Sequence, residues 1–112
     1  MRLPMIARLW HGWTRPENAD EYQELLLETV LPGIEDRPGY RGAYVLRRVA
    51  DEGEGEVEFV TITTFDSLAD ARGFSHDGVR GAVVPPAARE LLSRWDGESA
   101  HYEVVLEPEE DS

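Results

Sequence analysis

An α+β fold of the ferredoxin-like type, β-α-β-β-α-β around an antiparallel sheet, is predicted by three observations. Apolar residues recur with period two in four short segments. A strongly amphipathic helical segment with a proline in its first turn separates the first of these from the next two. A second helical region, broken into pieces by glycine and proline, separates the third from the last.

The first strand is "MIARLWHGWT" (Met5–Thr14), where Ile6, Arg8 and Trp10 alternate with Ala7, Leu9 and His11. In the helix that follows, Thr14 and Glu17 stand at capping-box spacing and Pro16 occupies the first turn. Ala19, Tyr22, Leu25, Leu26, Thr29 and Val30 form its apolar face, and Pro32-Gly33 ends it. Pro38-Gly39 in "DRPGYRG" supplies a turn into the second strand, "AYVLRRV". The acidic loop "ADEGEGE" returns the chain as a hairpin into the third, "VEFVTITTF". Asp66 or Ser67 caps the next helix, with Leu68, Ala71 and Phe74 on one side, and "SHDG" breaks it. A further helix runs from Pro85-Pro86 through Leu91, Leu92 and Trp95, and "HYEVVL" gives the fourth strand.

Helices in such a unit cover one face of the sheet and leave the other open. An ionised Glu103 does not suit a helix-packed core, so its side of the last strand is assigned to the open face together with His101. By the same charge argument Arg8 takes Ile6 and Trp10 to the open face and leaves Ala7 and Leu9 under the helices. Val60 and Ile62 suit the helix side, which sends Phe59, Thr61, Thr63 and Phe65 to the open face with Tyr44. A surface so rich in aromatic residues calls for a cover, and a twofold-related second copy would supply it.

The 112 residues form one domain, residues 1–106, followed by an acidic disordered tail over residues 107–112. With 41% apolar and 30% charged residues the composition is that of a soluble globular protein. A formal net charge of -12 disfavours nucleic acid and anionic membrane surfaces as partners. The absence of cysteine excludes disulfides, thiolate catalysis and cysteine metal sites. Arg8 interrupts the apolar stretch of "MRLPMIARLW", so no secretory leader is expected and the location is cytoplasmic.

"MIARLWHGWT", "VEFVTITTFDSLADARGF", "VVPPAARELLSRWD" and "HYEVV", in this order and spacing, resemble the antibiotic biosynthesis monooxygenase-like family of small dimeric α/β-barrel proteins. The resemblance runs from Met5 to Val105. It implies a homodimer whose two sheets form a barrel, with a ligand cavity in each half between sheet and helices. One kind of member oxidises phenolic compounds with dioxygen and no metal, flavin or nicotinamide; another binds and degrades haem. In the haem branch a Trp stands where this chain has Phe74, and a proximal His where it has Val84, so haem degradation is not expected.

Cofactor-free oxygenation needs a dry cavity for a planar phenol, a base, and a cation or hydrogen bonds for the resulting anion. The catalytic candidates are His101 and His76. Trp10, Tyr44, Phe65 and Phe74 are candidates to clasp an aromatic ligand, with Arg8, Thr61 and Thr63 as its polar contacts. Arg8 has a structural alternative, pairing with Glu103 on the neighbouring strand, and His11 reads as a structural residue on the helix side. The three histidines lack metal-binding spacing, and no metal or other cofactor is expected. A non-catalytic ligand-binding or auxiliary protein of the same barrel fold is the competing reading.

Overall fold

The computed structural model describes residues 5–49, 55–77 and 85–107, with the side chains of residues 74–77 outside that description. The acidic loop at residues 50–54, Val84, and the tail at residues 108–112 therefore lie outside the described residues. Strand β1 (Ile6–Thr14) leads into helix α1 (Pro16–Leu25), which continues as a π-helical turn over Leu26–Val30. Strands β2 (Tyr40–Arg47) and β3 (Val57–Phe65) form the hairpin. Helices α2 (Leu68–Asp77) and α3 (Pro86–Leu91) precede two short strands, β4 (Leu92–Trp95) and β5 (Ala100–Glu103).

The sheet is antiparallel in the order β2-β3-β1-β4, with β5 pairing the other end of β1. This is the ferredoxin-like order, with the last strand divided. Leu92 to Trp95, expected to continue the last helix, leave it: the helix ends at Leu91, and Leu92 is already extended at φ -81°, ψ 137°. The cause is tertiary, because the N-terminal strand's edge needs partners, which Gly12 to Thr14 find in this segment. A side chain at Gly12 would crowd this pairing, since a Cβ would lie 2.9 Å from a Leu92 methyl carbon and 3.2 Å from the Trp10 ring.

Helix α1 begins at Pro16 without the expected capping box. Thr14 is instead the last residue of β1, fully buried, and its Oγ1 meets no partner among the described residues. The cap of α2 is Ser67, whose hydroxyl accepts the Asp70 N–H at 3.1 Å, while Asp66 pairs with Arg41 at 2.9 Å. Helix α2 continues through Asp77, so His76 belongs to its last turn and not to a break. Gly39 makes the expected corner into β2 with φ 75°, a conformation that favours glycine.

The facing of the sheet is the reverse of the one deduced from charge. Ile6, Arg8 and Trp10 on β1, and Phe59, Thr61, Thr63 and Phe65 on β3, are the buried set. Trp10 and Phe59 pack with Ala19, Tyr22 and Leu26 beneath α1, and Tyr22 meets Phe59 edge to face at 4.9 Å. Arg47 ties the hairpin to this helix, donating to Asp20 at 2.8 Å and to Gln23 at 3.0 Å. The open face carries Leu9, His11, Val60 and Ile62 half-buried, with Tyr44 and Leu46 of β2 and Tyr102 of β5 exposed. Both faces are apolar, so the need for a cover survives while its location inverts.

Candidate ligand cavity

Trp10, Thr61 and Thr63 come together with Arg8 because each occupies the buried phase of β1 or β3, and Arg8 stands opposite Thr63 in the ladder as Trp10 stands opposite Thr61. Above them α1 and its π turn contribute Tyr22, Leu26 and Val30, joined among the described residues by Ile34, Pro85 and Ala88. The π turn closes with the Leu31 N–H donating to the Leu26 carbonyl at 2.9 Å, five residues back. The enclosed volume is about 50 Å³.

This apolar pocket has a polar floor. Arg8 is only 6% exposed, and burial lowers its pKa to about 10, so the guanidinium stays charged at neutral pH at a cost in desolvation. Thr63 is 1% exposed, and its Oγ1 has no hydrogen-bond partner among the described residues. Buried hydroxyls are seldom left so. His101 faces Arg8 directly across the β1/β5 ladder, and its Nε2 is likewise buried and unpartnered among the described residues. Burial first, then the charges of Arg8 and Arg72, push the imidazole pKa below its usual value, which favours a neutral ring that can take a proton.

The ladder therefore gives Arg8 a different neighbour from the one expected: His101 stands opposite it, and the exposed Glu103 pairs with Ile6 two residues away. Phe65 is fully buried but belongs to a second cluster with Ile6 and Ala71 beside Leu68 and Tyr40, not to the cavity wall. Tyr44 is 63% exposed on the opposite face of the sheet and cannot clasp a ligand held under the helices of its own chain. Phe74 and His76 fall in α2, with their side chains outside the described residues. Tyr22, Leu26 and Val30 were legible only as apolar helix positions, because a cavity wall and a core face have the same helical spacing, and Ala88 gave no signal of its own.

His11 lies on the open face, held by Asp96 through its ring Nδ1 at 2.7 Å. Among the described residues no group of three or more acidic, His or Cys side chains could hold a metal. No helix among them is long and apolar enough to cross a membrane.

A depressed His101 pKa has a measurable consequence. The unfolded chain binds more protons than the folded one between the folded pKa and the ordinary ~6.5, so stability rises with pH through that window and is lost as pH falls through it. Arg72→Gln, a change at an exposed position, should move the His101 titration midpoint upward when followed by imidazole nitrogen NMR. An unmoved midpoint would remove Arg72 as a contributor.

No curated protein sequence matches this chain. A protein of unknown function from Nitrosomonas europaea has a similar structure, with 15% identity, 100% of each chain covered and a TM-score of 0.69. A haem-degrading protein of Mycobacterium tuberculosis, solved with two haems in its active site, is 18% identical over 92% of this chain and 99% of its own, with a TM-score of 0.59. A Streptomyces coelicolor monooxygenase in complex with nanaomycin D is 18% identical over 99% of this chain and 94% of its own, with a TM-score of 0.57. These likenesses show the fold. The family model for antibiotic biosynthesis monooxygenase matches residues 5–80, and the chain belongs to that family.

Proposed function

We propose that this protein is a homodimer that binds a small phenolic molecule in the cavity between sheet and helices, and that it oxygenates that molecule with dioxygen and no metal or flavin. The observation that carries the reading is the pair of buried polar atoms without a partner among the described residues, Thr63 Oγ1 and His101 Nε2, beside the buried Arg8 charge. Burying such groups costs free energy, which hydrogen bonds to a bound phenol would offset.

In this reaction the phenol gives its proton to the neutral His101 Nε2, and Arg8 with the Thr63 hydroxyl holds the phenolate oxygen. The electron-rich anion reduces dioxygen. One oxygen atom enters a ring carbon that bore two hydrogens in the keto form, and the other leaves with those hydrogens as water, so that CH2 and O2 become C=O and H2O. Trp10 and Leu26 exclude bulk water from the ring.

The volume of about 50 Å³ favours a second reading, a non-catalytic ligand-binding or auxiliary protein of the same barrel fold, because ligand pockets usually reach ~300 Å³ or more and one this small is largely filled by its own side chains. The same volume is far below that of a haem. Oxygen uptake with a panel of naphthols and anthrones separates the readings. Consumption should survive treatment with a chelator, and His101→Ala should lower kcat by about 10²-fold with a smaller effect on KM. Uptake abolished by the chelator overturns the cofactor-free reaction, and normal turnover in His101→Ala removes that residue from it. Binding without consumption by wild type gives the second reading.

A further inference from the structure

Strands β4 and β5 both pair with β1 but leave a gap between them: Trp95 stands opposite Gly12, Ala100 stands opposite Leu9, and Asp96 begins the connecting segment opposite His11. In an antiparallel ladder the facing residues His11 and Asp96 would exchange two main-chain hydrogen bonds. One is present, the Asp96 N–H donating to the His11 carbonyl at 3.0 Å. The other is replaced. The His11 N–H donates at 3.0 Å to the Asp96 side-chain Oδ2, not to the Asp96 carbonyl.

The carbonyl left over has a different partner. It accepts the Trp10 Nε1–H at 2.9 Å. Oδ2 also accepts a hydrogen bond from His11 Nδ1 at 2.7 Å, and because a carboxylate only accepts, Nδ1 carries the proton. His11 lies on the open face and Trp10 on the cavity face, so one aspartate grips adjacent residues that point through opposite sides of the sheet.

We infer that Asp96 is a positioning residue for the cavity: its carboxylate takes the place of its own carbonyl in the β1 ladder, and the carbonyl so released holds the Trp10 indole in the cavity wall. Without the carboxylate the ladder closes in the ordinary way, the carbonyl turns to the His11 N–H, and the indole loses its acceptor. The indole geometry stands independently of what the cavity binds; only its effect on a ligand rests on the function proposed above.

The test is hydrogen exchange at the indole nitrogens in 15N-labelled protein, with the three tryptophans assigned through Trp→Phe variants. Asp96→Ala should speed exchange at Trp10 Nε1 by about ten-fold or more while the amides of β3 keep their protection. Asp96→Asn retains an acceptor for the His11 N–H and should stay close to wild type at that nitrogen. Affinity for 1-naphthol, read by calorimetry, should fall about ten-fold in Asp96→Ala and recover in Asp96→Asn. Unchanged Trp10 exchange in Asp96→Ala overturns the assignment, as does a uniform loss of protection that Asp96→Asn shares. Should wild type not bind 1-naphthol, the proposed function fails there, and the indole exchange still decides the role of Asp96.

Discussion

Ile62→Asp is expected to convert the proposed homodimer into a folded monomer. Ile62 is at the middle of β3, a central strand, on the open face, flanked by Leu9 across one ladder and Tyr44 across the other. In a single chain that side chain is only half-buried, so a carboxylate there remains hydrated and the helix-covered core is untouched. In a twofold assembly through this face the substitution appears twice and buries a charge from each copy. Each unpaired charge costs about 3 kcal/mol or more, so association should weaken by well over ~10³-fold. Light scattering at micromolar concentration reads the mass, and circular dichroism checks the fold. Wild type found as a monomer, or Ile62→Asp still a dimer, would remove this face as the interface.

Phe59→Ala should cost about 3–5 kcal/mol of stability by urea denaturation. Its ring is 1% exposed, packs edge to face on Tyr22, and lies 5.7 Å below the Arg47 guanidinium, so truncation leaves a void between sheet and helix as well as removing apolar contact. That is a large part of the total stability of a domain this size. Val60→Ala, one residue along and on the opposite face, should lose far less in the single chain. The pair decides the facing of the sheet: a loss under ~1.5 kcal/mol for Phe59→Ala would return that ring to the open side.

Much of the fold was legible because its signals are local. Pro16 and the spacing of Ala19, Tyr22 and Leu26 define α1, Pro38-Gly39 forces the turn before β2, and the period of "VEFVTITTF" is that of a strand. The division of the last strand was not legible. Leu91, Leu92 and Trp95 have helical spacing, and only the unpaired edge of β1 draws Leu92 to Trp95 out of the helix. Asp96 was missed for the same reason, since its partners Trp10 and His11 lie more than eighty residues away in the chain.

The sequence by itself determined which residues share a face: alternation sorted Arg8, Trp10, Thr61 and Thr63 into one set and Leu9, Val60 and Ile62 into another. Which set lies under the helices was decided by tertiary structure. The charge rule pointed the wrong way because Arg8 is buried despite its desolvation, while Glu103 shares that phase yet stays in water at the end of β5. Volume overrode charge. The gap between a sheet and a helix is filled by large rings such as Trp10 and Phe59, and Arg8, fixed in the same phase of the strand as Trp10, is carried inside with it.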